Sequence, residues 1–211
     1  MRYLDARKSI QNGDVLLFES RGWVAATIRW ATRSRFSHAA LAAWWGERLM
    51  LIESREGSGC RALPLSEAVK TGRIVLFKPV GVPDTEPASP QDRDSDRYAR
   101  LGVALGVPVW VCPRDRVVEA AKARIGQPYG WWAIVRDALG RLPLLALLWR
   151  RRHYSLDDLE DPGTRVKCST LVALAWRAAG RDLVPNLADR STDPGDLARS
   201  AALREVYALE P

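Results

Sequence analysis

The sequence predicts an α+β fold in which a central antiparallel sheet packs against helices. Three observations carry that reading. The chain has 211 residues of which 47% are hydrophobic, enough to bury a real core. His38 to Trp45 and Leu49 to Ser54 are apolar runs separated by Gly46-Glu47-Arg48, the pattern of a tight hairpin. Both runs are apolar on both faces, which places the two strands inside a sheet rather than at its edge. Helical patterns flank them, with Arg114 to Ile125 carrying Val117, Val118, Ala121 and Ile125 on one side and stopping at Gly126.

Taken in order, Val15 to Phe18 follows the turn-forming Asn12-Gly13-Asp14 and reads as a short buried strand. Arg21 to Arg33 carries Trp23, Ile28 and Trp30 at helical spacing. Leu65 to Thr71, opened by Pro64 and closed by Gly72, reads as a brief helix, and Ile74 to Phe77 returns as a strand ended by Pro79. Residues 81–97 are rich in proline, serine and acidic residues with almost nothing to bury, and are expected to form a mobile surface loop. Residues 131–152 form the most apolar region, but Arg136, Asp137, Arg141 and Pro143 interrupt it. It falls short of the roughly 20 apolar residues a membrane span needs and reads as a buried or interfacial helical insertion. Asp161-Pro162-Gly163 makes a turn, Ser169 to Ala179 reads as a helix stopped by Gly180, and Asp193-Pro194-Gly195-Asp196 opens a last short helix before Leu203 to Leu209. There is no internal repeat, so the expectation is a single domain over residues 1–211.

The N-terminal residues alternate charge and polarity without an apolar stretch, so no signal peptide is expected and the default location is cytoplasmic. Three cysteines, Cys60, Cys112 and Cys168, cannot all pair, so at least one thiol is free. The formal charge of +7 attracts phosphate, anionic lipid or an acidic polymer. No recognition helix, zinc finger or RNA-binding signature gives that charge a reading function, so no specific nucleic acid partner is expected and a solvated basic face is the plainer reading.

Only two histidines are present, His38 and His153. His153 follows three arginines in an expected exposed turn, whereas His38 lies in an apolar strand run, where it needs a partner. If Gly46 and Glu47 form a two-residue loop, Ala40 lies opposite Glu53, and His38 and Glu53 share a face as diagonal neighbours. A three-residue loop would put them on opposite faces, because a one-residue slip flips every side chain. Cys168 stands where a helical run begins. There the unpaired N–H groups and the positive end of the helix dipole favour a thiolate and can hold the oxyanion formed when it attacks a carbonyl. Singly, each residue has a bland reading: a buried cysteine is a small hydrophobe, and a strand histidine is a satisfied core residue. Together they suit a nucleophile, a base and an orienting carboxylate.

With these residues in view, the chain resembles the circularly permuted branch of the NlpC/P60 superfamily of papain-like hydrolases, the group typified by YiiX-like and YebB-like proteins. The resemblance rests on Gly13-Asp14 before a strand, Thr32-Arg33-Ser34-Arg35-Phe36-Ser37-His38, and Glu53 ending the second hairpin strand. It continues with Gly126-Gln127-Pro128-Tyr129, Lys167-Cys168-Ser169-Thr170-Leu171-Val172 and Asp193-Pro194-Gly195-Asp196-Leu197, in the family's order. It implies a papain-like fold with exchanged halves, so that the histidine strand precedes the cysteine helix. It also implies a Cys168, His38, Glu53 triad with Tyr129 in substrate binding, and a cysteine peptidase or amidase-like hydrolase acting on peptide amides, esters or thioesters, including cell-wall peptides and lipid acyl groups. Lys167 and Thr170 depart from the aromatic and acidic residues the family often carries, and Gly130 stands where an aspartate often follows the Pro-Tyr pair.

No cofactor is implied. A zinc site of Cys168, His38 and Glu53 matches known ligand spacing poorly. A catalytically retired scaffold, kept for binding or for contact with a membrane surface, is the alternative in a different functional class. Trp23, Trp30, Trp44, Trp45, Trp131, Trp132 and Trp149 read either as core or as the lining of an acyl groove. Arg150 to Arg152, beside the Leu-rich run, suits an anionic membrane surface.

Overall fold

Strand β1 (Val15–Glu19) leads into helix α2 (Trp23–Thr32), preceded by the short helix α1 (Tyr3–Ala6). The hairpin strands β2 (His38–Trp45) and β3 (Arg48–Arg55) follow, then β4 (Gly59–Pro64), α3 (Leu65–Ala68) and β5 (Arg73–Pro79). Helices α4 (Pro113–Lys122), α5 (Cys168–Ala178) and α6 (Pro194–Arg199) precede the last strand, β6 (Leu203–Leu209). The structure is a computed structural model that describes residues 1–82, 113–130, 165–185 and 187–211. Most of the loop expected at 81–97, the insertion expected at 131–152 with Trp131, Trp132, Trp149 and Arg150 to Arg152, and Cys112, His153 and the Asp161-Pro162-Gly163 turn lie outside the described residues.

The strands form one six-stranded antiparallel sheet in the order β4-β3-β2-β1-β5-β6. Both hairpin strands are therefore interior, as their two-sided apolar pattern predicts. Trp45 pairs with Arg48 and Ala40 with Glu53, so Gly46 and Glu47 make a two-residue loop. Gly46 has φ 60°, the left-handed backbone that such a loop needs at its first position. The loop thereby fixes which side chains of β2 and β3 share a face.

Strand alternation divides the core in two. On one face Val15, Leu17, Leu41, Ile52 and Phe77 pack against Val117 and Ala121 of α4 and Leu171, Val172 and Trp176 of α5. On the other, Leu16, Ala40, Leu51 and Leu76 pack against Tyr3, Ala6, Leu65 and Ala68 from α1 and α3. Helix α6 starts at Pro194 with a reciprocal capping box, since Asp193 and Asp196 each accept from the other's backbone N–H. Among the described residues, no helix is long and apolar enough to cross a membrane.

Three elements differ from the sequence reading. Strand β4 has no counterpart there. Ile125 is exposed, because α4 ends at Lys122 and the chain turns away before it. Trp23 and Trp30, read as core or as the lining of an acyl groove, point outward and are 79% and 70% exposed. The buried side of α2 is carried by small residues, Ala25 and Thr32.

Asp14 anchors β1 to the helical layer. Its Oδ1 accepts from Arg114 Nη1 at 2.7 Å, and both side chains are 0% exposed. Burial pushes the Asp14 carboxyl up even though the Arg114 charge and hydrogen bonds oppose it. Trp176 Nε1 donates to the Gly13 carbonyl at 3.0 Å beside this pair. Breaking a buried ion pair from one side leaves an uncompensated charge, so Arg114→Met is expected to cost about 3–5 kcal/mol, read from the urea midpoint. A loss under about 1 kcal/mol would mean the pair is replaceable by apolar contact.

Candidate active site

The site is assembled at the start of β2. The hairpin register puts His38 and Glu53 on one face, two residues apart along the ladder, and His38 Nε2 lies 2.7 Å from Glu53 Oε2. Glu53 is 1% exposed. Its other oxygen, Oε1, accepts two hydrogen bonds from Arg61, from Nε at 2.9 Å and Nη2 at 2.8 Å. Arg61 sits on β4 directly across from Glu53. The Phe18 ring, paired across the ladder with His38, meets the imidazole edge-on at 5.1 Å and fixes its plane.

Cys168 is the first residue of α5, after the extended N-cap Lys167. Its thiol receives a hydrogen bond from the Ala39 backbone and one from the His38 ring. Since Nε2 faces Glu53, Nδ1 is the nitrogen left for the thiol. The first N–H groups of a helix lack intrahelical acceptors, so α5 presents donors beside Sγ. Its far side is tied down: Ser169 donates to the Thr192 carbonyl at 2.7 Å, Thr170 to the Asp189 carbonyl at 3.1 Å, and Arg177 chelates the Asp189 carboxylate.

Tyr129 reaches the same point by a chain of backbone contacts. Gly126 and Gln127 exchange hydrogen bonds with Cys60 on the β4 edge, and Tyr129 bridges in parallel to Val166, two residues before Cys168. A Cβ on Gly59 would lie 2.5 Å from the Gln127 carbonyl, so this approach requires glycine. Ser54 of β3 donates to the Val166 carbonyl at 2.6 Å and ties the approach to the sheet. The buried Tyr129 hydroxyl donates to Cys168.

Burial disfavours every charge here, and at His38, Cys168 and Glu53 the partners outweigh it. For His38, the charge and hydrogen bond of Cys168, then those of Glu53, overcome burial and raise the imidazole from 6.5 to about 10. For Cys168, burial is overcome by the charge and hydrogen bond of His38 and by the Ala39 backbone, and the thiol falls below its ordinary value. Glu53 is held down at about 2 against burial by His38 and then Arg61. Burial, then the charges of Cys168 and Glu56, pushes Tyr129 up. At Cys60 burial outweighs the charge of Arg124 and pushes the thiol up to about 11. The shifts favour a thiolate–imidazolium pair on an ionised carboxylate, an arrangement suited to nucleophilic attack on a carbonyl.

The structure brings all four residues singled out in the sequence, His38, Glu53, Cys168 and Tyr129, to one place. Sequence reasoning missed Arg61 and Glu56, because it left residues 55–64 without an element. The signal was present: Glu56-Gly57-Ser58 is a turn, and a strand after it sets Arg61 against Glu53.

No family model matches the chain, and no curated protein is similar to it in sequence. Among solved structures it is similar to the metalloprotein YiiX from Escherichia coli O157:H7, with 16% identity and a TM-score of 0.51 over 96% of this chain and 99% of that one. The fold is therefore YiiX-like. A metal does not fit the residues here. Glu53 spends both oxygens on Arg61 and His38, and among the described residues no three His, Cys, Asp or Glu side chains are placed to hold an ion.

Iodoacetamide is expected to label Cys168 near pH 7, below the free-thiol pKa of about 8.5, while Cys60 stays unlabelled. His38→Ala should move the Cys168 profile to about 8.5 or above, and a rate indifferent to His38 would sink the assignment. Arg61→Ala removes the positive charge that reaches the histidine through the Glu53 carboxylate, so the same profile should shift to higher pH by less, with Arg61→Lys partly restoring it.

Stability follows from the same shifts. The raised His38 contributes fully below pH 6.5 and loses its contribution as pH rises through about 10. The lowered Cys168 contributes above its ordinary 9.0 and loses its contribution as pH falls through its folded value. The pair therefore stabilises most between 6.5 and 9.0 and less on either side. The urea midpoint of wild type minus that of the His38→Ala/Cys168→Ser variant should peak in that window, and a monotonic difference would contradict the charged pair.

Proposed function

We propose that this chain is a cysteine-dependent acyl hydrolase of the permuted papain-like NlpC/P60 kind, with Cys168 as nucleophile, His38 as base and acid, and Glu53 as the group that orients the histidine. One observation carries the reading: a thiol at the first turn of an eleven-residue helix, hydrogen-bonded to a histidine whose other nitrogen is held by a buried carboxylate. The order of the chain, histidine strand before cysteine helix, and the YiiX-like fold support it.

The Cys168 thiolate attacks the substrate carbonyl carbon, and the oxygen takes the electron pair. N–H groups opening α5 and the Tyr129 hydroxyl are the donors near that oxygen. As the tetrahedral species collapses, His38 gives its proton to the leaving amine, alcohol or thiol, and a thioester remains on Cys168. His38 then takes a proton from water, whose hydroxide attacks the thioester and releases the acid. Cys168 departs as thiolate and His38 is again protonated. Glu53, clamped by Arg61, keeps its charge and the ring's orientation through both steps. Substrates are peptide amides, esters or thioesters, with cell-wall peptides and lipid acyl groups the classes this resemblance offers. The chemistry needs no cofactor.

Incubation with p-nitrophenyl acyl esters tests this. A burst of p-nitrophenol is expected with one acyl group retained on Cys168 by mass spectrometry, absent in Cys168→Ser. His38→Ala should slow the burst by about 10²–10⁴-fold, the range for a general base. Glu53→Gln should slow it less. A Cys168 that labels with iodoacetamide yet forms no acyl-enzyme with any ester length would favour the retired binding scaffold, for which Lys167 and Thr170 beside the cysteine are the sequence grounds.

A further inference from the structure

Helix α2 carries a surface that the cysteine chemistry does not use. Trp23 and Trp30 are seven residues apart, nearly two turns, so their indoles lie on one stripe about 10 Å long. Between them on that stripe stand exposed Ala26 and Thr27, small enough to leave both rings proud of the surface. Indoles are the bulkiest apolar groups the chain has to bury, yet these are 79% and 70% exposed, while Ala25 and Thr32 face inward. Within the helix and its flanks the charge is of one sign. Residues 21–35 contain four arginines, Arg21, Arg29, Arg33 and Arg35, and no acidic residue. Arg29 donates to the Ser20 carbonyl and Arg35 pairs with Glu19 and Glu205, whereas Arg21 and Arg33 are exposed and form no ion pair among the described residues. They bracket the stripe at its two ends.

We propose that α2 docks the protein on an anionic lipid bilayer, with Trp23 and Trp30 in the interfacial layer and Arg21 and Arg33 against lipid phosphates. Trp is suited to that depth because its ring is apolar and its N–H stays wet. A short helix with aromatic residues on one face and arginines beside it lies in the plane of the interface. Two indoles are too small an area for a stable protein dimer, which buries about 800 Å² per partner. Five residues, Arg33 to Ser37, join this helix to His38, so docking would hold the site close to the lipid. The surface stands independently of the proposed hydrolase reaction.

Flotation of the full chain with vesicles of phosphatidylcholine alone and of phosphatidylcholine with phosphatidylglycerol tests the proposal, with circular dichroism melting and light scattering of each variant beside it. Wild type and Cys168→Ser are expected to float equally, only with anionic vesicles, and less at high salt. Trp23→Ser/Trp30→Ser should lose binding by at least about tenfold with an unchanged melt. Arg21→Gln/Arg33→Gln should lose about fivefold per arginine. Absence of flotation, or flotation unchanged in the tryptophan variant, overturns the proposal. So does a lowered melting midpoint in that variant, which would mean that the chain itself buries the indoles. A wild-type dimer that the variant dissolves would assign the stripe to a second copy instead.

Discussion

Glu53 is a carboxylate with almost no contact with water, and such a charge persists only when both oxygens are bonded and an opposite charge is close. His38 takes one oxygen and Arg61 the other, from the strands on either side of β3. Three neighbouring strands must therefore hold their register for the carboxylate to stay ionised. If either pairing slipped by one residue, a buried unpaired charge would face apolar side chains. The same ionised carboxylate helps raise His38, and the charged histidine keeps Cys168 as thiolate. Reactivity at one end of the sheet thus depends on the ladder across its middle.

The nucleophile arrives from the other layer of the fold. Helix α5 packs Leu171, Val172 and Trp176 against the sheet, and Trp176 closes on Gly13 beside the Asp14–Arg114 pair. Packing at the helix's far end sets where its N-terminus falls, and that point is the backbone of Ala39. Gly126 to Tyr129 adds a third approach, possible because Gly59 has no Cβ to meet the Gln127 carbonyl. Cys60 is the contrast within one protein: equally free and buried, but without a helix start or a histidine, it is driven away from ionisation while Cys168 is driven toward it.

Much of this was readable from residue order. Gly46-Glu47-Arg48 between two apolar runs marked the hairpin and made a shared face for His38 and Glu53 conditional on a two-residue loop, and the Trp45–Arg48 pairing meets that condition. Helix starts and stops at Cys168, Gly180 and Asp193 to Asp196 were equally local, because caps and turns depend on a few adjacent residues. Strand β4 was not read, since a six-residue edge strand holding Gly, Arg and Pro has neither clean alternation nor a continuous apolar run. With it went Arg61. The orientation of α2 was also hidden: helical spacing places Trp23 and Trp30 on a common stripe but does not say whether that stripe faces the sheet.

The sequence by itself determined the element types, the interior hairpin with its histidine and carboxylate, and a cysteine at a helix start, because each follows from short-range backbone geometry and the side-chain period. Tertiary structure alone decided that Cys168 meets His38, that Arg61 completes the shell of Glu53, that Tyr129 reaches the thiol, and that two tryptophans face outward. Those outcomes rest on contacts that run from eight residues apart, for Arg61 and Glu53 across the β3–β4 ladder, to more than a hundred, for Cys168 and His38, and they are fixed by strand pairing and layer packing rather than by any local pattern.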